Sequence, residues 1–279
     1  IGNDIYPRHF KDQTEKNLIT IVEDEADLED VTKRYFLNRI VDPIKLEKYV
    51  EITKSASSVH IIPFEKEKYL ELTSSKEKIH YLTNVNNARN ACLTQSFLHE
   101  FEDIDYCLPL DGNCFIRPDG WQQIEENIRA NSEDGYFILP VARLSSYEEA
   151  LNQKIQLTLM EEYHVPSDNS PSGYTTSVAK SEPQVCFGKW ADLRFNETRL
   201  YGEGDKAELL FKLGVPGIWN NFFADVQLES LTTSSIWSGK CKEIGFICKL
   251  PSGPKEVDLN NTLRDKLKFE GMRNLLKEA

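Results

Sequence analysis

The first part of the chain alternates short, apolar, β-rich runs with segments of helical periodicity, and this order restricts the fold more than any other feature. Predicted strands and helices follow one another at residues 13–25 (helix), 34–41 (strand), 58–63 (strand), 86–101 (helix) and 104–110 (strand). Between the first two strands, Asp42-Pro43 starts a further helix, whose apolar face extends to Thr53. Strands that alternate with helices form parallel βαβ units with right-handed crossovers. The sequence therefore predicts an α/β fold, a Rossmann-type sheet with helices on both faces.

The second half of the chain predicts a more mixed arrangement within the same domain, which we place over residues 1–279. A strand is expected at residues 135–142, and a capping box at Ser146 predicts a helix that continues to about residue 163. Residues 165–184 are rich in Pro, Ser, Thr and Asp and predict a long mobile loop. A hairpin within residues 235–250 and a terminal helix at 262–279 complete the prediction.

Composition excludes several classes of function. The 279 residues carry a net charge of −12 without a dense Lys/Arg stripe, which argues against a nucleic-acid binder. The sequence contains no apolar run of about 18 residues, so it predicts no transmembrane segment. Its six cysteines include no CxxC pair, which argues against a zinc site. The abrupt start suggests a soluble domain cut from a longer multidomain or membrane-anchored protein, in a compartment that the sequence leaves open.

Polar residues stand where the predicted strands end. The apolar run at residues 107–110 ends in Asp111-Gly112-Asn113 and then becomes apolar again. Ligands of parallel sheets bind outside the carboxyl ends of the strands. Two short oxygen-bearing side chains at such an end can hold a hard cation against a diphosphate. Asp4, Arg39 and Asp42 are expected at the same edge, although Arg39 and Asp42 can instead pair with each other.

An Asn-rich segment precedes this strand and reads Asn84-Val-Asn-Asn-Ala-Arg-Asn90. The backbone N–H groups at a helix N-terminus already favour phosphate binding. Arg89 lies near such a terminus and would add a guanidinium, which can bind phosphate through two N–H donors. For Asn86 and Asn87, capping and solvation of the first helical turn is an equally good interpretation.

The order of these motifs resembles the inverting glycosyltransferases of the GT-A fold, especially the broad family 2. The likeness continues at residues 195–214, where Phe195-Asn-Glu, then Glu203-Gly204-Asp205, precede an apolar helix. It covers roughly residues 1–215. The resemblance implies a GT-A-like domain in which residues 1–116 bind the nucleotide sugar and residues 117–279 bind the acceptor.

The resemblance also implies a role for individual residues. Asp111 and Asn113 would bind a divalent metal, Mn²⁺ or Mg²⁺, together with the ribose and diphosphate of the donor. Arg8 and Arg39 are added from their places near strand ends, although a surface-loop role is an equally good interpretation of Arg8. The expected donor-binding residues are then Asn3, Asp4, Arg8, Arg39, Arg89, Asp111, Gly112 and Asn113. The chain departs from the family at Asn113, where a second Asp is usual, so this site carries one negative charge fewer.

The catalytic base is expected at Asp205 or Glu203. Inverting transfer needs one carboxylate to take a proton from the acceptor hydroxyl as that oxygen attacks the anomeric carbon. Because the motif reads Glu203-Gly204-Asp205 rather than two adjacent acids, either residue can serve. The structural alternative for Asp205 is an N-cap, since Asp-x-x-Glu208 before Leu209-Leu210 is also a capping box.

The sequence therefore predicts a metal-assisted, inverting glycosyltransferase that moves a hexosyl or N-acetylhexosaminyl group. The donor would be a nucleoside-diphosphate sugar, first of all a UDP-sugar, and the acceptor a carbohydrate or glycoconjugate. Two alternatives stay open. One is a catalytically degenerate GT-A module that binds carbohydrate or acts as a scaffold, and the other is a sugar-phosphate nucleotidyltransferase.

Overall fold

The structure of the protein is a computed structural model that describes most of the chain. The described residues are 1–6, 9–25, 28–54, 58–98, 103–143, 146–147, 156–163, 175–198, 206–215, 241–251 and 261–278.

The described residues form helices and strands whose order follows much of the predicted alternation. The helices are α1 Gln13–Asp24, α2 Pro43–Lys54, α3 Lys66–Glu71, α4 Ser75–Thr83, α5 Val85–Ser96, α6 Pro118–Ala130, α7 Ala207–Lys212 and α8 Asn261–Glu278. The strands are β1 Arg34–Asn38, β2 Ser58–Ile62, β3 Tyr106–Cys107, β4 Cys114–Phe115, β5 Tyr136–Arg143, β6 Gln156–Tyr163, β7 Thr175–Gly188, β8 Lys242–Glu243 and β9 Ile247–Lys249.

The unit β1-α2-β2 is the parallel βαβ unit that the sequence predicts. β1 and β2 pair in parallel, with Arg34 opposite Ser58. α2 begins where expected because the Asp42 carboxylate accepts from the Ile44 N–H at 2.9 Å. The first residue of the chain lies along the other edge of β1. The Ile1 amino group donates to Phe36 O at 2.9 Å, and Asn38 N–H donates to Ile1 O at 2.8 Å.

The second sheet is mixed in strand direction. Its order is β3-β7-β5-β9-β4, with β6 beside β7 and β8 beside β5. β7 runs antiparallel to β3 and β5, whereas β8 and β9 run parallel to β5 and β6 runs parallel to β7. The α/β class is therefore confirmed as a mixed arrangement of helices and strands, and the GT-A form of it stays a prediction.

Two predictions for the second half are wrong where the structure describes the chain. Residues 156–163 form β6 rather than a helix, since pairing with β7 decides their conformation. Residues 175–184 belong to β7 rather than to a loop, while residues 164–174 lie outside the described part. The hairpin predicted within residues 235–250 is centred on Ser238-Gly239-Lys240, which lie outside the described part, so it stays a prediction. Residues 242–243 and 247–249 both pair with β5.

Two clusters of buried side chains place the strand ends that carry the candidate site. One cluster joins α5, β3, β5, β7 and α7, and includes Leu93, Phe187 and Leu210. The other packs α1, α2 and β1 against residues of the second half, including Phe115 and Leu250. Burial of this apolar surface fixes α5, β7 and the end of β9 around the Asp111 turn.

Candidate functional site

Asp111 lies at the centre of a polar cluster to which α5, β7 and β9 each contribute one side chain. Arg89 Nη2 donates to Asp111 Oδ1 at 2.7 Å, and Gln184 Nε2 donates to Asp111 Oδ2 at 3.1 Å. The ammonium of Lys249, the last residue of β9, lies 3.5 Å from Asp111 Oδ2. The Asp111 side chain is 23% exposed, so the cluster is reachable from solvent. We call Arg89, Asp111, Gln184 and Lys249 the Asp111 cluster.

The Asp111 carboxylate is ionised because cations surround it. Burial acts to raise its pKa, but the charges of Arg89, Lys206 and Lys249 hold the pKa of this carboxyl well below its ordinary value of 3.8. Lys206 precedes α7 and is itself only 2% exposed. Within the described part of the chain, three cationic side chains thus act on this single carboxylate: Arg89 and Lys249 of the cluster, and Lys206.

The Asn-rich start of α5 holds the segment at residues 195–197. Asn86 Nδ2 donates to Asn196 O at 2.8 Å, and Asn87 Nδ2 donates to a Glu197 carboxylate oxygen at 2.9 Å. Asn90 donates to Phe195 O at 2.8 Å and to Glu197 at 2.7 Å, and accepts from the Phe195 N–H at 3.0 Å. The Asn-rich start of α5 therefore joins α5 to the distant segment at residues 195–197. The interpretation of these residues as helix caps did not include this role.

Arg89 connects this segment to the Asp111 cluster. Its second guanidinium nitrogen donates to Asn86 Oδ1 at 3.1 Å, and the guanidinium carbon lies 5.1 Å from the centre of the Phe195 ring. The side chain is only 10% exposed. Because hydrogen bonds to two partners and an aromatic ring fix its orientation, Arg89 presents a preorganised fork at the edge of the cluster.

Arg39 lines a separate open cleft of about 290 Å³ beside the start of α5. The cleft is bordered by Arg39, Leu72, Glu77, His80, Tyr81, Asn84, Asn87 and Glu197. Arg39 lies at the end of β1 with a left-handed φ of 49°, and its guanidinium stacks 3.8 Å from the centre of the Tyr81 ring. Arg39 and Asp42 do not form the salt bridge that the sequence allows. Asp42 instead caps α2, and Arg39 Nη1 donates to Tyr81 O.

Asn3 and Asp4 have structural partners in this structure. Asn3 Nδ2 donates to Arg39 O at 2.7 Å and its Oδ1 accepts from the Val41 N–H at 2.9 Å, which holds the left-handed turn after β1. Asp4 is 5% exposed, and one of its oxygens accepts from the Thr14 N–H at 2.8 Å in the first turn of α1. Their contact with a donor stays a prediction.

Gly112 and Asn113 form the turn that follows Asp111. The Cys114 N–H donates to Asp111 O at 2.8 Å and closes this turn. A Cβ at Gly112 would lie 3.1 Å from Ile1 Cδ1 and 3.3 Å from Ile1 Cα, so the turn is packed against the chain start. Asn113 Nδ2 donates to Leu250 O at 3.3 Å, and the Leu250 N–H donates to Asn113 O at 2.8 Å. Asn113 is thereby tied to the residue after β9.

Three of the expected site residues, Arg8, Glu203 and Asp205, lie outside the described residues. Lys206, the residue after Asp205, is one of the described residues, and its charge acts on Asp111. α7 begins one residue later, with Leu209, Leu210 and Leu213 buried.

The donor set at Asp111 does not fit a divalent metal held by the protein. Among the described residues there is no group of three or more His, Cys, Asp or Glu that can hold a metal ion. Asp111 supplies one carboxylate, and both of its oxygens already contact the cations Arg89 and Lys249 or the amide of Gln184. A divalent ion on the same oxygens would have to displace these groups and remain beside two positive charges.

Lys206, Lys249 and Gln184 surround Asp111, and sequence reasoning did not assign them to this site. No local pattern marks them, because Gln184 and Lys249 are single polar residues beside apolar runs and Lys206 lies in a run of charged residues. A weak signal exists at Lys249, which follows Ile247-Cys248 at a strand end just as Asp111 follows an apolar run.

Comparison with protein-family models, with curated proteins and with solved structures gives no match for this chain. Within the described residues, no helix has the length and apolar character needed to cross a membrane.

Proposed function

We propose that this protein is an inverting glycosyltransferase that moves a sugar from a nucleoside-diphosphate sugar, first of all a UDP-sugar, to an acceptor hydroxyl. One observation carries the proposal. The Asn-rich helix start, the segment at residues 195–197 and the turn at Asp111 meet through Arg89 and its neighbours. These three motifs are far apart in the sequence, and it is their order that resembles family 2 glycosyltransferases.

The charges of the Asp111 cluster suit such a donor. A sugar nucleotide is anionic, whereas the whole chain carries −12, so donor binding needs a local group of cations. Arg89 and Lys249 supply fixed cations beside Asp111, and arginine forks bind phosphate oxygens in the same geometry as carboxylates. The diphosphate of the donor would therefore lie against the Asp111 turn.

The base of the reaction remains Asp205 or Glu203 in this proposal. Either carboxylate would take the proton of the acceptor hydroxyl while the new bond to the anomeric carbon forms and the bond to the diphosphate breaks. Lys206, which follows Asp205 in the sequence, is buried, and its charge acts on Asp111.

Release of nucleoside diphosphate from a panel of UDP-sugars and GDP-sugars, with and without oligosaccharide acceptors, tests this proposal. We expect acceptor-dependent release, which is lost in Asp205→Asn or in Glu203→Gln, whichever is the base, because each change removes the carboxylate without changing size. Asp105→Asn is the matched control, since this exposed acid pairs only with Lys189 among the described residues and lies outside the cluster. Full activity in both variants would refute the assignment of the base.

A catalytically degenerate module that binds carbohydrate or acts as a scaffold is the second candidate. The observation that favours it is Asn113, which replaces the expected acid and whose amide is tied to Leu250 O. This candidate predicts nucleotide binding without transfer to any acceptor. A sugar-phosphate nucleotidyltransferase predicts pyrophosphate release from a nucleoside triphosphate instead, so the same product analysis separates the three.

A further inference from the structure

We propose that Arg89 and Lys249, rather than a divalent metal, supply the positive charge that receives the donor diphosphate, and that Asp111 pairs with these two cations until the donor binds. This inference rests on the proposed function and concerns the same site. It starts from the finding that the oxygens of Asp111 face two cations and an amide, an arrangement that does not favour a metal.

The two cations come from elements that the fold holds rigidly. Arg89 lies in α5, where Asn86 and the Phe195 ring fix its guanidinium. Lys249 ends β9, which pairs with β4 on one side and with β5 on the other. The Lys249 side chain is 19% exposed and that of Arg89 is 10% exposed, so little side-chain freedom remains to be lost when a ligand binds.

Asp111 acts as a substitute anion in the absence of the donor. Carboxylate and phosphate oxygens accept from the same arginine and lysine donors. A phosphate oxygen that approaches the cluster can therefore replace one Asp111 oxygen on Arg89 or Lys249 without a new arrangement of either cation. Gln184, which is 1% exposed, donates to Oδ2, the oxygen that also faces Lys249, and keeps the carboxylate in place.

This arrangement and a metal site predict opposite effects for one substitution. Asp111→Asn keeps the size of the side chain but removes the charge that competes with phosphate for Arg89 and Lys249. If the cations bind the diphosphate directly, the affinity for a nucleoside diphosphate stays the same or rises. If Asp111 is the ligand of a metal that bridges to the diphosphate, the affinity falls sharply, since the metal loses the one carboxylate that the Asp111 cluster supplies.

Isothermal titration calorimetry of the full chain with UDP, GDP and inorganic pyrophosphate, in EDTA and in Mn²⁺, tests the inference. We expect UDP or GDP to bind in both buffers, with a Kd in EDTA that is within about threefold of the Kd in Mn²⁺. The reason is that Arg89 and Lys249 supply the positive charge that a metal would otherwise supply. Lys249→Met should weaken that binding about tenfold or more. Lys242→Met is the matched control: this exposed lysine of β8 pairs with Asp134, and its loss should leave the Kd unchanged.

Each outcome decides between the two proposals. Binding that requires Mn²⁺, or that disappears in Asp111→Asn, overturns the inference and leaves the glycosyltransferase proposal standing. Failure of UDP, GDP and pyrophosphate to bind in either buffer overturns the proposed function itself. Arg89→Met would also remove the hydrogen bond to Asn86, so a change in its affinity would not isolate the charge. Lys249→Met and Asp111→Asn, both checked by circular dichroism, therefore carry the decision.

Discussion

The ion pair between Arg89 and Asp111 should contribute measurably to stability, unlike most ion pairs on protein surfaces. Its nitrogen and oxygen are 2.7 Å apart, and the two side chains are 10% and 23% exposed. Two unit charges about 4 Å apart attract by about 4 kcal/mol at an effective dielectric constant of about 20. The partial exposure of both side chains screens this attraction, and couplings between residues in contact are about 0.5–3 kcal/mol. We therefore expect a coupling free energy of about 2 kcal/mol.

A double-mutant cycle of Arg89→Met and Asp111→Asn, measured by urea unfolding at pH 7, gives this coupling directly. The matched control is Lys189 and Asp105, whose charged atoms are 2.6 Å apart but whose side chains are 49% and 62% exposed. We expect less than about 0.5 kcal/mol for this exposed pair. Equal coupling in the two cycles would falsify the reasoning, because distance rather than burial would then determine the energy.

Three further predictions concern pH, packing and the segment next to α5. Because the folded-state pKa of Asp111 lies well below 3.8, its stabilisation is complete above about pH 4 and is lost as the pH falls through that lower value. Acid unfolding of Asp111→Asn should lack this component. Gly120→Ala should lower the free energy of unfolding by about 1–3 kcal/mol, since its Cβ would lie 2.7 Å from Phe246 O. Gly135→Ala, with its nearest contact at 3.6 Å, should have a much smaller effect, and equal losses would contradict this. Asn90→Ala removes three hydrogen bonds and should speed amide exchange at residues 195–197, as mass spectrometry can detect; unchanged exchange would exclude a clamping role.

The parts of the fold that local chemistry determines are the parts that the sequence predicts. Asp42-Pro43 starts α2 as expected because a side-chain cap and a fixed φ act within one turn. The parallel pairing of β1 with β2 follows from the same local alternation. Asp111 can be located in advance since an apolar run ends at it.

The remaining parts depend on contacts between distant residues. Residues 156–163 pair with β7 and adopt the strand conformation, although a capping box at Ser146 predicted a helix. Leu157 and Leu159 alternate with polar residues, which is a strand signal that the helical interpretation overlooked. Gln184 reaches Asp111 only because β7 pairs with β5 in one register, with Gln184 opposite Leu139. No local pattern specifies that register.

The partners of Asp111 also determine when this part of the protein can form during folding. Arg89 is 22 residues from Asp111 in the chain and Gln184 is 73 residues away. Lys249 joins only after β9 has paired with β5. Contacts between distant residues need more loop closure and form later than local ones. We therefore expect a refolding chain to build the β1-α2-β2 unit early, and to gain its cationic cluster only in the last cooperative step.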